Sequence, residues 1–217
     1  GKLSFAFADR MIGVSKGVRA HLIGQGVSSS KIEVVYNGIP TPPETDRELA
    51  RTEFGFAESD LVVGTVARLT PMKGIDILIR SFKLFSDAIP NGRLLLVGSG
   101  DGEAEYRTLV STLGLEGKVV FAGYRDPVWP ALSAMDLFAF PSLKEAMGMS
   151  VVEAMMMGLP AVSADVGGLP EVVTADAGVL VPARDEKAMA SALVALGKDE
   201  NLRRELGEGA KKRAQAV

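Results

Sequence analysis

Residues 61–89 read LVVGTVARLTPMKGIDILIRSFKLFSDAI, and this stretch decides the fold. Leu61–Ala67 is a short apolar run of strand length. RLTPMKG (Arg68–Gly74) breaks it, with Pro71 and Gly74 as turn residues. From Lys73 to Ile89, the residues Ile75, Leu78, Ile79, Phe82 and Phe85 recur at helical spacing and form one apolar stripe. A strand, a loop and a helix with a single apolar face make a unit that covers one side of a sheet.

The same alternation extends in both directions. Further apolar runs stand at Arg93–Val97, Lys118–Ala122, Leu137–Phe140, Ala161–Ala164 and Val179–Val181, with helical patterns between them. Asp185–Gly197 and Glu200–Ala216 read as two terminal helices. Six strands alternating with helices predict an α/β fold, a Rossmann-like, doubly wound, parallel six-stranded sheet with right-handed crossovers. Upstream, Arg10–Ser15 reads as a strand, Lys16–Gln25 as a helix and Lys31–Tyr36 as a strand. Asn37–Thr45, with Gly38, Pro40, Pro42 and Pro43, reads as a linker. A domain boundary is placed there: residues 1–36 in front, 37–217 behind.

Composition narrows the function. The 217 residues amount to about 1.4 domains at ~150 residues each. A hydrophobic content of 47% with 24% charged residues excludes a disordered chain. A net charge of −3 argues against nucleic-acid binding, which needs a basic face. The absence of cysteine removes disulfides, thiolate metal sites and cysteine nucleophiles, and one histidine, His21, leaves little room for a histidine metal site or a Ser-His-Asp triad. No metal and no cofactor are expected. No apolar run approaches the ~18 residues of a spanning helix, so a cytoplasmic protein is expected. The start at Gly1 suggests a processed or engineered end and hence a fragment. Lys211, Lys212 and Arg213 read as a solvated helix face, with peripheral contact to anionic lipid as the alternative. The 24 glycines exceed the roughly 15 of average composition, which implies many tight turns or a backbone that approaches something closely.

In an open α/β sheet, ligands bind beyond the carboxyl ends of the strands where the strand order reverses. With an assumed order 3-2-1-4-5-6, the relevant loops are Arg68–Gly74 and Pro141–Gly148. They bring Arg68, Lys73 and Glu145 to one crevice, and each precedes a helix. A lysine at a helix N-terminus opposes the helix dipole. An anion between Arg68 and Lys73 would relieve that, although a surface ion pair for Arg68 and a plain helix start for Lys73 are the blander readings. Gly148 opens a helix whose first N–H groups could hold a phosphate or sugar hydroxyls. Glu145 and Glu153 could accept hydrogen bonds from vicinal hydroxyls, or Glu153 could serve only the helix dipole. Gly98, Gly100 and Gly102 in VGSGDG lack dinucleotide-fingerprint spacing and read as a sharp turn at the cleft floor. Gly167–Gly168 reads as a turn that touches phosphates or merely enters a short helix. Met155, Met156 and Met157 read as core, Trp129 as a packing anchor and His21 as a surface residue. Asp9 and Arg10 receive no role.

Pro141–Val173, PSLKEAMGMSVVEAMMMGLPAVSADVGGLPEVV, resembles the signature region of retaining glycosyltransferase family 4: a glutamate, seven residues, a second glutamate, then a small-residue helix and G-x-P, here Glu145, Glu153, Gly158 and Pro160. VARLTPMKGIDILI, LLLVGSGDGE, VVFAGYRD and SAMDLFAFPS follow the family's order, and the resemblance covers about Ile32 to the C-terminus. It implies the C-terminal, donor-binding half of a two-domain GT-B enzyme acting on a UDP- or GDP-linked sugar in hexosyl transfer, with polysaccharide biosynthesis as the setting. Residues 1–36 then resemble a remnant of the acceptor-binding domain, the final crossover helix is missing, and the fragment is expected to be inactive alone. The resemblance implies catalytic roles for Arg68 and Lys73 on the diphosphate and for Glu145 on the sugar. It implies donor contacts from the Gly98 turn, from Tyr124 and Arg125 near the base, from the backbone at Ala146, Met147, Gly148 and Met149, and from Glu153 on the ribose. The family's Glu-Gly-Phe-Gly loop appears as Glu145-Ala146-Met147-Gly148, which leaves the donor sugar open.

Three other readings stay open: a nucleotide-sugar epimerase half, a non-catalytic nucleotide-sugar-binding domain and, weakest, a dehydrogenase. The acceptor belongs to the missing domain. The strand around Met11, Ile12 and Val14 lacks its own sheet, and is expected to pack non-natively, with self-association through a neighbouring copy as one outcome.

Overall fold

A computed structural model describes residues 8–216. Its elements run β1 (Met11–Gly13), α1 (Lys16–Gly24), β2 (Ile32–Val34), α2 (Arg47–Glu53), β3 (Leu61–Val66), α3 (Ile75–Ala88), β4 (Gly92–Val97), α4 (Glu103–Thr112), β5 (Val119–Gly123), α5 (Trp129–Ser133), β6 (Leu137–Phe140), α6 (Met149–Met156), β7 (Ala161–Ala164), α7 (Leu169–Val172), β8 (Gly178–Val181), α8 (Glu186–Lys198) and α9 (Glu200–Ala214).

β3 to β8 form one parallel sheet in the order β5-β4-β3-β6-β7-β8, which is the assumed 3-2-1-4-5-6. Order reverses between β3 and β6, so the loops after these two strands face each other across a crevice. Both faces of the sheet are covered, as a parallel sheet requires. On one face, Val63, Leu94, Leu96, Leu137 and Ala139 meet α3 and α8. On the other, Val62, Leu95, Phe138 and Phe140 meet α5, α6 and α7. The stripe Ile75, Leu78, Ile79, Phe82 and Phe85 is wholly buried. Each such side chain contributes roughly 1.5–3 kcal/mol of burial free energy, so this helix is held by its packing.

The helix starts at Ile75, two residues later than the periodicity from Lys73 suggests. Pro71–Lys73 instead form a single 3-10 turn, and Gly74 caps the helix in a left-handed conformation (φ 64°). A Cβ at Gly74 would strike the Pro141 carbonyl, so the two crevice loops touch through a residue without a side chain.

α2 was not singled out in the sequence. Asp46 caps it at the end of the Pro-rich stretch, its carboxylate accepting from the Leu49 N–H. Arg51 on α2 is buried and bonds the Asp136 carboxylate at 2.7 Å and the carbonyls of Ala57, Glu58, Asp60 and Ala134. Asp136 also accepts from the Val62 N–H, which ties α2 to the edges of β3 and β6.

The N-terminal region forms a separate two-stranded parallel sheet. β1 pairs with β2 in the register Met11↔Ile32, Ile12↔Glu33 and Gly13↔Val34. The strand around Met11 was expected to lack a sheet, yet it finds its partner within the chain. Ile12 and Val35 remain exposed on this pair. Residues 1–7, part of the segment read as a domain remnant, lie outside the described residues. No helix is long and apolar enough to cross a membrane among the described residues.

Candidate functional site

A cleft of about 490 Å³ opens at the carboxyl ends of β3, β4 and β5. That is within the ordinary range of small-molecule sites. It is lined by Arg68, Gly98, Tyr124, Arg125 and Glu153, five of the residues singled out in the sequence, together with Pro40, Ser99, Asp126, Val128 and Trp129. The strands deliver the loops: Arg68 follows β3, Gly98 follows β4, and Tyr124–Arg125 follow β5. Gly98 has φ 129° and sits against the Ala67 carbonyl, so the cleft floor is backbone on backbone.

Charge at this end is unmet. Arg68 is exposed and has no ion pair among the described residues, which leaves the surface-ion-pair reading without support. Glu153 faces the cleft from α6, and no hydrogen-bond donor reaches it among the described residues. Burial alone pushes its carboxyl above the usual carboxylate range. The desolvated carboxylate lacks the donors that would hold its charge. Arg125 is anchored rather than free: it pairs with Glu53 at 3.3 Å and lies over the Phe54 ring at 5.4 Å. Tyr124 is 73% exposed and stands at the rim. Trp129 is core, as expected, while its edge borders the cleft.

The second cluster lies across the reversal point. Lys73 donates to Glu145 Oε2 at 2.6 Å, and both side chains are mostly shielded, 17% and 16% exposed. The Phe140 ring lies 5.3 Å from the same ammonium. An anion between Arg68 and Lys73 was expected to relieve the helix-start lysine. Glu145 supplies Lys73 with a counter-charge, and of the two cations only Arg68 lines the cleft. The second oxygen of Glu145 accepts from the Ala146 N–H at 3.0 Å.

The loop that follows is closely packed. Gly148 takes φ 87° and caps α6, placing the first turn of the helix at the crevice. Among the described residues no acceptor meets the N–H groups of Met147, Gly148 and Met149. The Met147 side chain is buried in the core and Met149 packs against it, so only their backbone can serve a ligand. Gly167–Gly168 does not enter the cleft. A Cβ at Gly167 would strike the Glu145 carbonyl, and one at Gly168 the Ala146 carbonyl. The pair is a turn into α7 that lets a second backbone lie flat on the loop.

Pro40, Asp126 and Val128 were not anticipated as lining. Position after a strand could have found Asp126 and Val128, since they follow Tyr124 and Arg125 beyond β5. Pro40 carries no such signal, because it reaches the cleft from the linker. His21 is exposed and bonds Gln25, as a surface residue would.

The sequence profile of glycosyl transferases group 1 matches residues 46–213. The chain is 32% identical over 183 residues to N-acetyl-alpha-D-glucosaminyl L-malate synthase of Bacillus anthracis, covering 83% of this chain and 48% of that protein. It is 36% identical over 202 residues to D-inositol 3-phosphate glycosyltransferase of Corynebacterium aurimucosum, covering 87% and 48%. Among solved structures, Anabaena Alr3699/HepE in complex with UDP and glucose superposes with a TM-score of 0.91 at 29% identity, over 99% of this chain and 60% of that one. Sucrose-phosphate synthase from Thermosynechococcus elongatus superposes with a TM-score of 0.85 at 29% identity, over 99% and 56%. The chain spans about half the length of the curated relatives it matches. Sequence and fold agree: the chain belongs to the glycosyl transferases group 1 family and has the Rossmann-like fold of the second half of a GT-B glycosyltransferase.

Proposed function

We propose that this chain is the donor-binding half of a retaining glycosyltransferase and holds a nucleoside diphosphate sugar along the crevice. The observation that carries the reading is the half-buried Glu153 carboxylate facing the cleft without a donor among the described residues. Vicinal ribose hydroxyls are donors at the spacing a carboxylate accepts, and they would stabilise its charge. The diphosphate then runs from Arg68 towards Lys73 and the free N–H groups at the start of α6. The sugar ends against Glu145 and the 146–149 backbone. Tyr124 and Arg125 border the base. The likeness to a protein solved in complex with UDP and glucose supports a nucleotide as ligand.

The chemistry follows from the charges. Breaking the bond from the anomeric carbon to the phosphate oxygen leaves negative charge on the departing diphosphate. Fixed cations and helix N–H groups stabilise that charge where it develops. Arg68 and Lys73 fill this role without a metal. Glu145, released from Lys73 as the phosphate takes over the ammonium, accepts from a sugar hydroxyl.

Residues 1–36 are then the end of the acceptor-binding half, and sugar transfer needs the remainder of that half. The fragment alone binds and does not transfer. Calorimetric titration of the chain with UDP, GDP and ADP tests this. Binding of one of them at micromolar concentration, with loss of binding in Glu153→Ala, is the expected result. A folded sample that binds none of the three would end the proposal.

A further inference from the structure

Three backbone segments are stacked beside the crevice. The innermost is the loop at Glu145–Ala146. On it lies the Gly167–Gly168 turn, whose Gly168 N–H donates to the Glu145 carbonyl at 3.3 Å. On that turn lies Ser15–Gly17, at the start of α1, where a Cβ at Gly17 would sit 2.5 Å from the Gly167 carbonyl oxygen. Glycine at each contact lets the three chains approach without intervening side chains.

Two polar contacts lock the stack. Ser15 is fully buried, and its hydroxyl donates to the Ala146 carbonyl at 2.5 Å while accepting from the Val18 N–H at 3.1 Å. Glu171, on α7, accepts from the N–H groups of Lys16 at 2.8 Å and Gly17 at 2.7 Å and from the Tyr36 hydroxyl at 2.8 Å. α1 has no acidic residue in its own first turn. Glu171 supplies the negative charge at its N-terminus from 155 residues away. The Arg213 side chain donates to the Glu171 carbonyl and ties the same point to α9.

We propose that Glu171 is a positioning residue: by clamping the start of α1 it seats Ser15 on the Ala146 carbonyl, and so sets the 145–149 loop for the diphosphate sugar. The proposal rests on the reading of that loop as part of the donor site. It makes donor affinity depend on a segment outside the six-stranded sheet. Glu171 touches neither donor nor reacting atoms, so its effect must pass through the loop.

Amide hydrogen exchange on the full 217-residue chain, without ligand, reads the loop directly. In Glu171→Gln, exchange should rise both at 15–18 and at 145–149. In Ser15→Ala, which leaves the Glu171 clamp intact, it should rise at 145–149 and at Val18, whose N–H loses its cap, but not at Lys16 and Gly17. Titration with UDP and UMP then separates positioning from general damage. Glu171→Gln should weaken UDP about tenfold, the scale of one charge-assisted contact, and leave UMP within about twofold of wild type. If UDP is not the preferred diphosphate, GDP or ADP is paired with its own monophosphate.

An unchanged 145–149 loop while 15–18 opens would overturn the proposal. So would equal losses for UMP and UDP, or a loosened loop with unaltered diphosphate affinity. If wild type binds no nucleotide, the donor reading falls and the positioning role falls with it, while exchange still reports whether the stack holds the loop. Ser15→Ala keeps the test open if Glu171→Gln does not fold.

Discussion

The two ends of the crevice are built on opposite principles. Around Arg68 and Glu153 the protein leaves charge unmet: the arginine has no acid among the described residues, and the carboxylate is desolvated without a donor. Around Lys73 and Glu145 it meets its own charge, with a 2.6 Å ion pair, a cation over Phe140 and a loop stacked under two other backbones. The first end gains partners when a ligand arrives. The second must exchange one partner for another. A diphosphate is the group that could do both, because it answers the arginine outright and displaces the glutamate from the lysine.

Breaking the self-satisfied end should have the largest effect. Lys73→Ala removes the proposed diphosphate contact and also leaves Glu145 without its counter-charge in a shielded place. Diphosphate affinity should fall by about 1.5–3 kcal/mol, with a lower melting temperature in the ligand-free protein. Calorimetry and thermal unfolding check the two halves, and an unaltered affinity would remove Lys73 from the site. Arg68→Ala comes next: about tenfold weaker diphosphate binding, the scale of a charge-assisted bond, with no change in melting temperature, since the exposed side chain is tied to no ion pair among the described residues. Matching losses of stability in both variants would erase the contrast between the ends.

Glu153→Gln sharpens the comparison further, because function and stability should move in opposite directions. Burial raises the carboxyl above its unfolded value, so the fold favours the protonated form. Its contribution is fully present below the ordinary carboxylate pKa of about 4.3 and is lost as pH rises through the raised value. The glutamine variant should therefore melt higher than wild type near neutral pH and match it in acid, while binding the nucleotide more weakly. The smallest effect belongs to the rim: Tyr124→Ala should cost less than about threefold in nucleotide affinity, the scale of a partly solvated contact. A larger loss would move the exposed tyrosine from rim to platform.

Much of this was legible in the chain. The stripe from Ile75 to Phe85 and the six apolar runs identify the sheet, because period and strand length are local properties. The position of Arg68 after β3 follows from the rule for open sheets, and Tyr124 and Arg125 after β5 from the family resemblance. The rest depends on contacts far apart in sequence. Lys73 and Glu145 are 72 residues apart, and nothing in either loop announces that they neutralise each other. Gly167–Gly168 reads locally as a flexible turn, whereas its missing side chains serve another loop's backbone. Glu171 looks like an ordinary acidic residue in the first turn of a short helix, and only the folded chain shows it serving a different helix. The late start of α3 has the same origin, since Gly74 is needed where it meets Pro141.

The stacked glycines also decide where change is permitted. A position that must lack a side chain cannot record a new preference. Gly17, Gly167 and Gly168 are in that condition. What is left to vary is the rim after β5, at Tyr124 and Asp126. A library aimed at a different donor belongs at those positions, with the glycine stack held constant as the jig against which new side chains are judged.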